Sequence, residues 1–127
     1  MDETATEPLR LSADHRELLA EVLDKWSLQI LDTLCERPRR FNELRRAIPL
    51  VTQKSLTAAL RRLERNGMVE RVVLSTRPVA VEYRISDLGS TLQDLIDDLY
   101  RWTTVALPAV DRAREWFDAE HDPVPAN

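Results

Sequence analysis

The sequence predicts a mainly α fold carrying a small β-hairpin. Apolar residues recur at helical spacing along most of the chain, the period shortens only over 68–85, and just two glycines, Gly67 and Gly89, occur in 127 residues. So few glycines argue against a turn-rich all-β architecture and against glycine-rich phosphate loops. The length is that of one domain. The expected organisation is a flexible arm over 1–11, a domain over 12–121 and a disordered tail over 122–127.

The elements follow in order. Ser12 is placed to cap a helix over 15–23, and Asp24 to cap a second; the pattern leaves their continuity open. Leu18, Leu19, Val22, Trp26, Ile30 and Leu34 carry one apolar face to about Cys35. Pro38 ends it, because proline disfavours helix at the residue before it. A short helix over 41–48 sets Phe41, Leu44 and Ile48 on one side, and Pro49 closes it. Thr52 caps a helix through Asn66 whose inner face is Leu56, Ala59, Leu60 and Leu63. Asn66-Gly67 is a stop, glycine supplying the left-handed position. The β-branched runs 68–74 and 79–85 make a hairpin, with 75–78 as an exposed basic tip. Ser86 caps the last helix. There Leu88, Leu92, Leu95, Leu99, Trp102 and Ala106 step alternately by four and three, a coiled-coil-like seam for dimerisation. Pro108 is expected to kink or break this helix. The terminal helices, about 12–24 and 86–120, are the expected dimerisation elements.

The net charge of −4 speaks against nucleic acid until its distribution is seen. Residues 37–77 hold eleven Lys/Arg and three acids, a net of +8, so the remainder carries −12. A solvated salt-bridge surface mixes signs; a basic block between acidic ends suits a polyanion.

A short helix, a turn and a capped helix with a basic outer face form a helix-turn-helix, and the hairpin adds a wing: a winged helix-turn-helix. With Leu56 at the centre of the inner face, Lys54, Ala58, Arg61 and Arg65 fall opposite, and Ser55 and Arg62 lie on a flank. Thr52, Gln53, Lys54, Ser55 and Thr57 occupy the start of the helix, the end that meets base edges; Gln53 suits adenine, and Lys54 suits guanine or phosphate. Arg61, Arg62 and Arg65 suit phosphate, which gives affinity rather than sequence choice. Arg77 at the wing tip suits phosphate or the minor groove, and Arg39 and Arg40 the flanking backbone.

These residues also carry a resemblance. Lys25-Trp26, Arg40-Phe41-Asn42-Glu43-Leu44-Arg45-Arg46, Leu60-Arg61-Arg62-Leu63-Glu64, Asn66-Gly67-Met68-Val69-Glu70-Arg71 and Val81-Glu82-Tyr83 make the chain similar, from about Lys25 to Trp102, to the HxlR family of bacterial winged-helix regulators. The resemblance implies a homodimer, built from the terminal helices, on pseudo-palindromic operator DNA. Two departures stand out. The segment 9–23 lacks the cysteine with which many members sense oxidants. Leu23-Asp24 replaces glycines often found there, which would let the first two helices run together.

No apolar run nears the ~20 residues of a membrane span, and 1–8, acidic and polar, is not expected to be a signal peptide. With the single Cys35, this gives a cytoplasmic expectation and no disulfide. His15, His121 and Cys35 lack metal-ligand spacing, so no metal or other cofactor is expected. Neither Asp94, Asp97 and Asp98 nor Ser55 and Thr57 have catalytic partners, so no enzyme is expected. Trp26 and Trp102 are candidates to line a pocket for a small-molecule effector between the dimer's helices, with interface packing as the plainer role. The functional expectation is a homodimeric regulator of double-stranded DNA, a repressor acting by occlusion. The alternatives are a winged-helix protein-interaction module and an effector-gated regulator.

Overall fold

The structure, a computed structural model, describes residues 10–121. Most of the expected arm and all of the expected tail lie outside the described residues. The elements are α1 (Ala13–Val22), α2 (Lys25–Glu36), β1 (Arg39–Arg40), α3 (Phe41–Ala47), α4 (Gln53–Arg65), β2 (Val69–Thr76), β3 (Val79–Ile85), α5 (Asp87–Ser90) and α6 (Gln93–His121). The chain up to Gln93 is one compact unit and the chain from Asp94 a second. The fold is a winged helix-turn-helix, mostly helical with one small antiparallel sheet.

Local chemistry explains most boundaries. The Ser12 hydroxyl accepts from the His15 N–H, and the His15 ring nitrogen accepts from the Ser12 N–H, so α1 starts on a reciprocal cap. The helices α1 and α2 are separate. Asp24 turns the chain between them, its carboxylate accepting from the N–H groups of Trp26 and Ser27 at 3.0 and 3.1 Å. A side chain that satisfies two orphan donors restarts a helix as well as glycine would. At the end of α4, Gly67 adopts φ +77°. The Met68 N–H donates to the Leu63 carbonyl and the Gly67 N–H to that of Glu64, a Schellman closure.

The core of the first unit is a three-helix cluster. Ile30, Leu31 and Leu34 of α2, Leu44 of α3, and Leu56, Leu60 and Leu63 of α4 are all buried, as is Ile48 just beyond α3. Leu18 and Leu19 are each 43% exposed, and of α1 only Val22 is buried.

The sheet has the order β1-β3-β2. Its hairpin matches the expected one, with Thr76 opposite Val79 across a two-residue turn at Arg77-Pro78. A bulge at Leu74 shifts the register between Val73–Val81 and Ser75–Ala80. The third strand, β1, goes beyond the hairpin that the sequence predicts. Arg39 and Arg40 pair with Tyr83 and Glu82, and two arginines before a helix carry no strand periodicity.

The last helix differs from expectation at its start, and it is unbroken at Pro108. It does not run unbroken from Ser86. The α5 turn ends at Ser90, and Thr91 and Leu92 close it with i→i+3 bonds to the carbonyls of Leu88 and Gly89. Ser90 and Thr91 also turn their hydroxyls onto backbone carbonyls, a competition that weakens helix continuation. Leu88 and Leu92 therefore stand outside the helix that bears Leu95, Leu99, Trp102 and Ala106. By contrast, α6 passes through Pro108. Missing one N–H costs a helix about 3 kcal/mol, and here fifteen residues before Pro108 and thirteen after it keep the helix in place.

Gly89 sets the closeness of α5 to the strands. A Cβ there would stand 2.2 Å from the Met68 carbonyl oxygen and 2.8 Å from Ile85 Cγ1, so Gly89→Ala is expected to destabilise the protein by about 3 kcal/mol in urea denaturation. Gly67→Ala meets nothing nearer than 3.5 Å and should cost about 1 kcal/mol, through its positive φ alone.

Candidate nucleic-acid interface

The candidate interface is centred on α4. Thr52 caps it, its hydroxyl accepting from the Ser55 N–H at 3.0 Å, and Leu56, Ala59, Leu60 and Leu63 bury one face. Burial of that face leaves Gln53, Lys54, Thr57, Ala58 and Arg61 exposed together on the other. With Arg62 they line a shallow concavity of about 700 Å³. Ser55 is half-buried and Thr52 exposed at the helix entrance.

The cations fall into two groups. Arg62 donates to Asp24 at 3.0 Å and Arg65 to Glu21 at 3.0 Å, so the last turns of α4 are tied to the N-terminal helices. Arg65 nevertheless keeps 70% of its side chain exposed, against 34% for Arg62. Arg39 is largely buried and donates to Glu36 at 2.6 Å, which makes it a part of the sheet edge as much as of the surface. Lys54, Arg61, Arg40 and Arg77 are exposed and make no ion pair among the described residues. Arg77 stands at the turn of the hairpin, its N–H donating to the Ser75 hydroxyl.

Arg45, Arg46 and Arg71 belong to the basic block but carry no expected site role. Arg45 and Arg46 are exposed on α3 and line a second concavity with Asn42; their place after Leu44 on a short helix was the available signal. Arg71 faces a cleft of about 550 Å³ between α4 and the sheet. Nothing in the sequence marks it, because only the strand register brings it there.

Trp26 is half-buried on α2, with the Lys25 ammonium 4.7 Å from its ring centroid. Trp102 is 60% exposed on α6. None of the clefts on α3, α4 and the sheet includes either of them. Leu88, Leu95 and Leu99 are exposed, and Leu92 and Ala106 half-buried. Cys35 is half-buried. Among the described residues no group of three or more His, Cys, Asp or Glu is placed to hold a metal ion, and no helix is long and apolar enough to cross a membrane.

A capped helix presenting polar and basic groups, braced by a second helix and flanked by a hairpin, defines a helix-turn-helix transcriptional regulator. The family described as HxlR-like helix-turn-helix matches residues 21–111, and the chain belongs to that family. The HTH-type regulator YdzF of Bacillus subtilis is 43% identical over 79 residues, 61% of this chain and 72% of that one. The putative transcriptional regulator ytfH from Salmonella typhimurium superposes with a TM-score of 0.71 at 36% identity, covering 79% of this chain and 89% of that one. The redox regulator HypR in its reduced form gives 0.71 at 30% identity, covering 79% and 99%.

Asp24 is the electrostatic hinge of the site. Burial pushes its carboxyl up, but hydrogen bonds from the Ser27 hydroxyl and N–H and from Arg62 outweigh it and hold the group below its ordinary value of 3.8. The folded pKa thus lies below the unfolded one, so the stabilisation is full above about pH 3.8 and fades as pH falls through the folded value. Asp24→Ala is expected to cost about 1–2 kcal/mol at neutral pH, and Asp24→Asn less, because it keeps the cap and loses only the charge. In thermal unfolding the gap between wild type and Asp24→Asn should close as the solution is acidified below about pH 4.

Proposed function

We propose that this regulator binds operator DNA as a homodimer, with α4 in the major groove, α3 on the adjoining backbone and the hairpin as a wing, and represses by occlusion. The observation that carries the reading is the outer face of α4. Lys54 and Arg61 are exposed and unpaired there beside Gln53 and Thr57, while the opposite face is fixed in the core. Gln53, Lys54, Ser55 and Thr57 near the helix start read base edges. Thr52, Arg61, Arg65, Arg40 and Arg77 hold phosphate, while Arg39, largely buried and paired with Glu36, stays with the sheet edge. Arg62 takes part chiefly by holding α4 on Asp24.

The second copy is the occupant proposed for the apolar stripe of α6. Leu95, Leu99, Trp102 and Ala106 keep an alternating three- and four-residue spacing, and a helix with such a stripe pairs with one of its own kind. Trp102 at 60% and Val105 at 80% exposure would otherwise stand in water. Two-fold symmetry would then set the two recognition helices about 34–36 Å apart, one helical turn of DNA.

The test is binding of the full chain to duplexes from the intergenic DNA beside its own gene. With about four phosphates neutralised per subunit, the logarithm of affinity should fall against log salt with a slope near −7; a flat salt response defeats the reading. Arg61→Ala should weaken binding to every sequence, whereas Gln53→Ala should relax discrimination at one base pair, by about 1–3 kcal/mol. Trp102→Glu should shift the protein to monomer in sedimentation equilibrium and weaken binding together with it. Unchanged dimer mass would place the interface elsewhere.

A further inference from the structure

The cleft between α4 and the sheet is a further concave feature of the first unit, and the expected contacts on α4 do not account for the residues the sheet brings to it. Arg61 and Thr57 come to it from the helix, Arg71 from β2 and Tyr83 from β3, with Phe41 at one wall. The strand register explains the convergence. Arg71 lies directly opposite Tyr83, and Arg39 lies opposite Tyr83 on its other side, so the three side chains leave the same face of the sheet. Two residues before Arg71 on that same face, Val69 is buried. The strand therefore passes from a core position to a cation at the foot of α4.

Arg71 is exposed and makes no ion pair among the described residues, and Arg61 is in the same condition, although Glu64 lines the same cleft. Two arginines thus line one concavity from different elements, and neither makes an ion pair among the described residues. A planar fork of donors matches a phosphate's oxygens in pairs, and the Thr57 and Tyr83 hydroxyls supply further donors at its wall.

We propose that this cleft seats a backbone phosphate of the bound duplex, held between Arg61 and Arg71, so that Arg71 is a positioning residue for α4. The inference rests on the DNA-binding reading above and goes beyond it by assigning a contact to the sheet itself. A phosphate held on one side by the helix and on the other by the sheet fixes how far α4 rotates and how deep it enters the groove. The wing tip at Arg77 lies beyond the bulge and cannot do this. Glu64, which the same phosphate would approach, opposes it and keeps affinity below what the two arginines alone would give.

The experiment measures binding of the full chain to its intergenic duplex and to a scrambled duplex over a series of salt concentrations. Arg71→Ala is expected to weaken binding to both duplexes by about tenfold and to reduce the steepness of the salt dependence by about 2, one phosphate lost from each of two subunits. Arg71→Lys should keep the slope while recovering only part of the affinity, because the charge remains and the fork is gone. Glu64→Gln should tighten binding to both duplexes. Circular dichroism and dimer mass of each variant should match wild type, and the salt slope is a readout that a merely structural role of Arg71 would not move. If wild type and Arg71→Ala bind with equal affinity and slope while Arg61→Ala is weakened, this inference fails alone. If wild type itself shows no salt-dependent duplex binding, the DNA-binding reading fails and takes this one with it.

Discussion

The rotation of α4 about its own axis is fixed by one apolar seam, and the rest of the surface follows from it. Leu56, Leu60 and Leu63 are buried in the cluster formed by Ile30, Leu31 and Leu34 of α2 and Leu44 of α3. A helix with four buried positions at this spacing cannot turn by a third without taking leucines into water and arginines into the core. The first change loses about 2 kcal/mol per side chain, and the second costs more. The display of Gln53, Lys54, Thr57 and Arg61 is therefore a consequence of packing on the far side of the helix.

Charge refines what packing sets. Four of the cations in the basic block are held by acids: Arg37 on Glu43, Arg39 on Glu36, Arg62 on Asp24 and Arg65 on Glu21. Surface pairs of this kind contribute little to stability singly. Their effect is directional, because each fixes where a long side chain goes and so separates cations that tie the helices to one another from cations that remain open. Glu43 shows the same economy in one group. Its carboxyl is held below the usual range first by the Arg40 N–H and then by Arg37, so one side chain begins α3 and anchors the chain before it.

Much of this was legible in the chain. The caps at Ser12, Asp24 and Thr52 and the stop at Asn66-Gly67 are short-range chemistry, readable wherever a polar side chain precedes an apolar period, and the elements they announce are present, whereas Ser86 caps only the four residues of α5. The inner face of α4 was legible for the same reason. What failed to show was decided by contacts distant in sequence. Two arginines become β1 only because β3 is there to pair with. The break at Thr91 follows from hydroxyls competing for carbonyls beside a glycine pressed on Met68, and α6 survives Pro108 through length on both sides. The interface divides in the same way. Lys54 and Arg61 follow from helical phase alone. That Arg62 and Arg65 meet Asp24 and Glu21, some forty positions earlier, required the folded chain, and so did the presence of Arg71 beside α4.

The extra residue at Leu74 separates the sheet into two regions with different freedoms. Below it, Arg71 and Tyr83 are locked in register with the floor of the cleft; above it, the alternation of sides restarts, and the strands run on to Arg77-Pro78 as a short lever. Residues gained or lost at the tip would alter the reach of that lever without re-phasing the pairs beneath. A scaffold divided this way can diversify its outermost arm while the grip next to the helix stays constant.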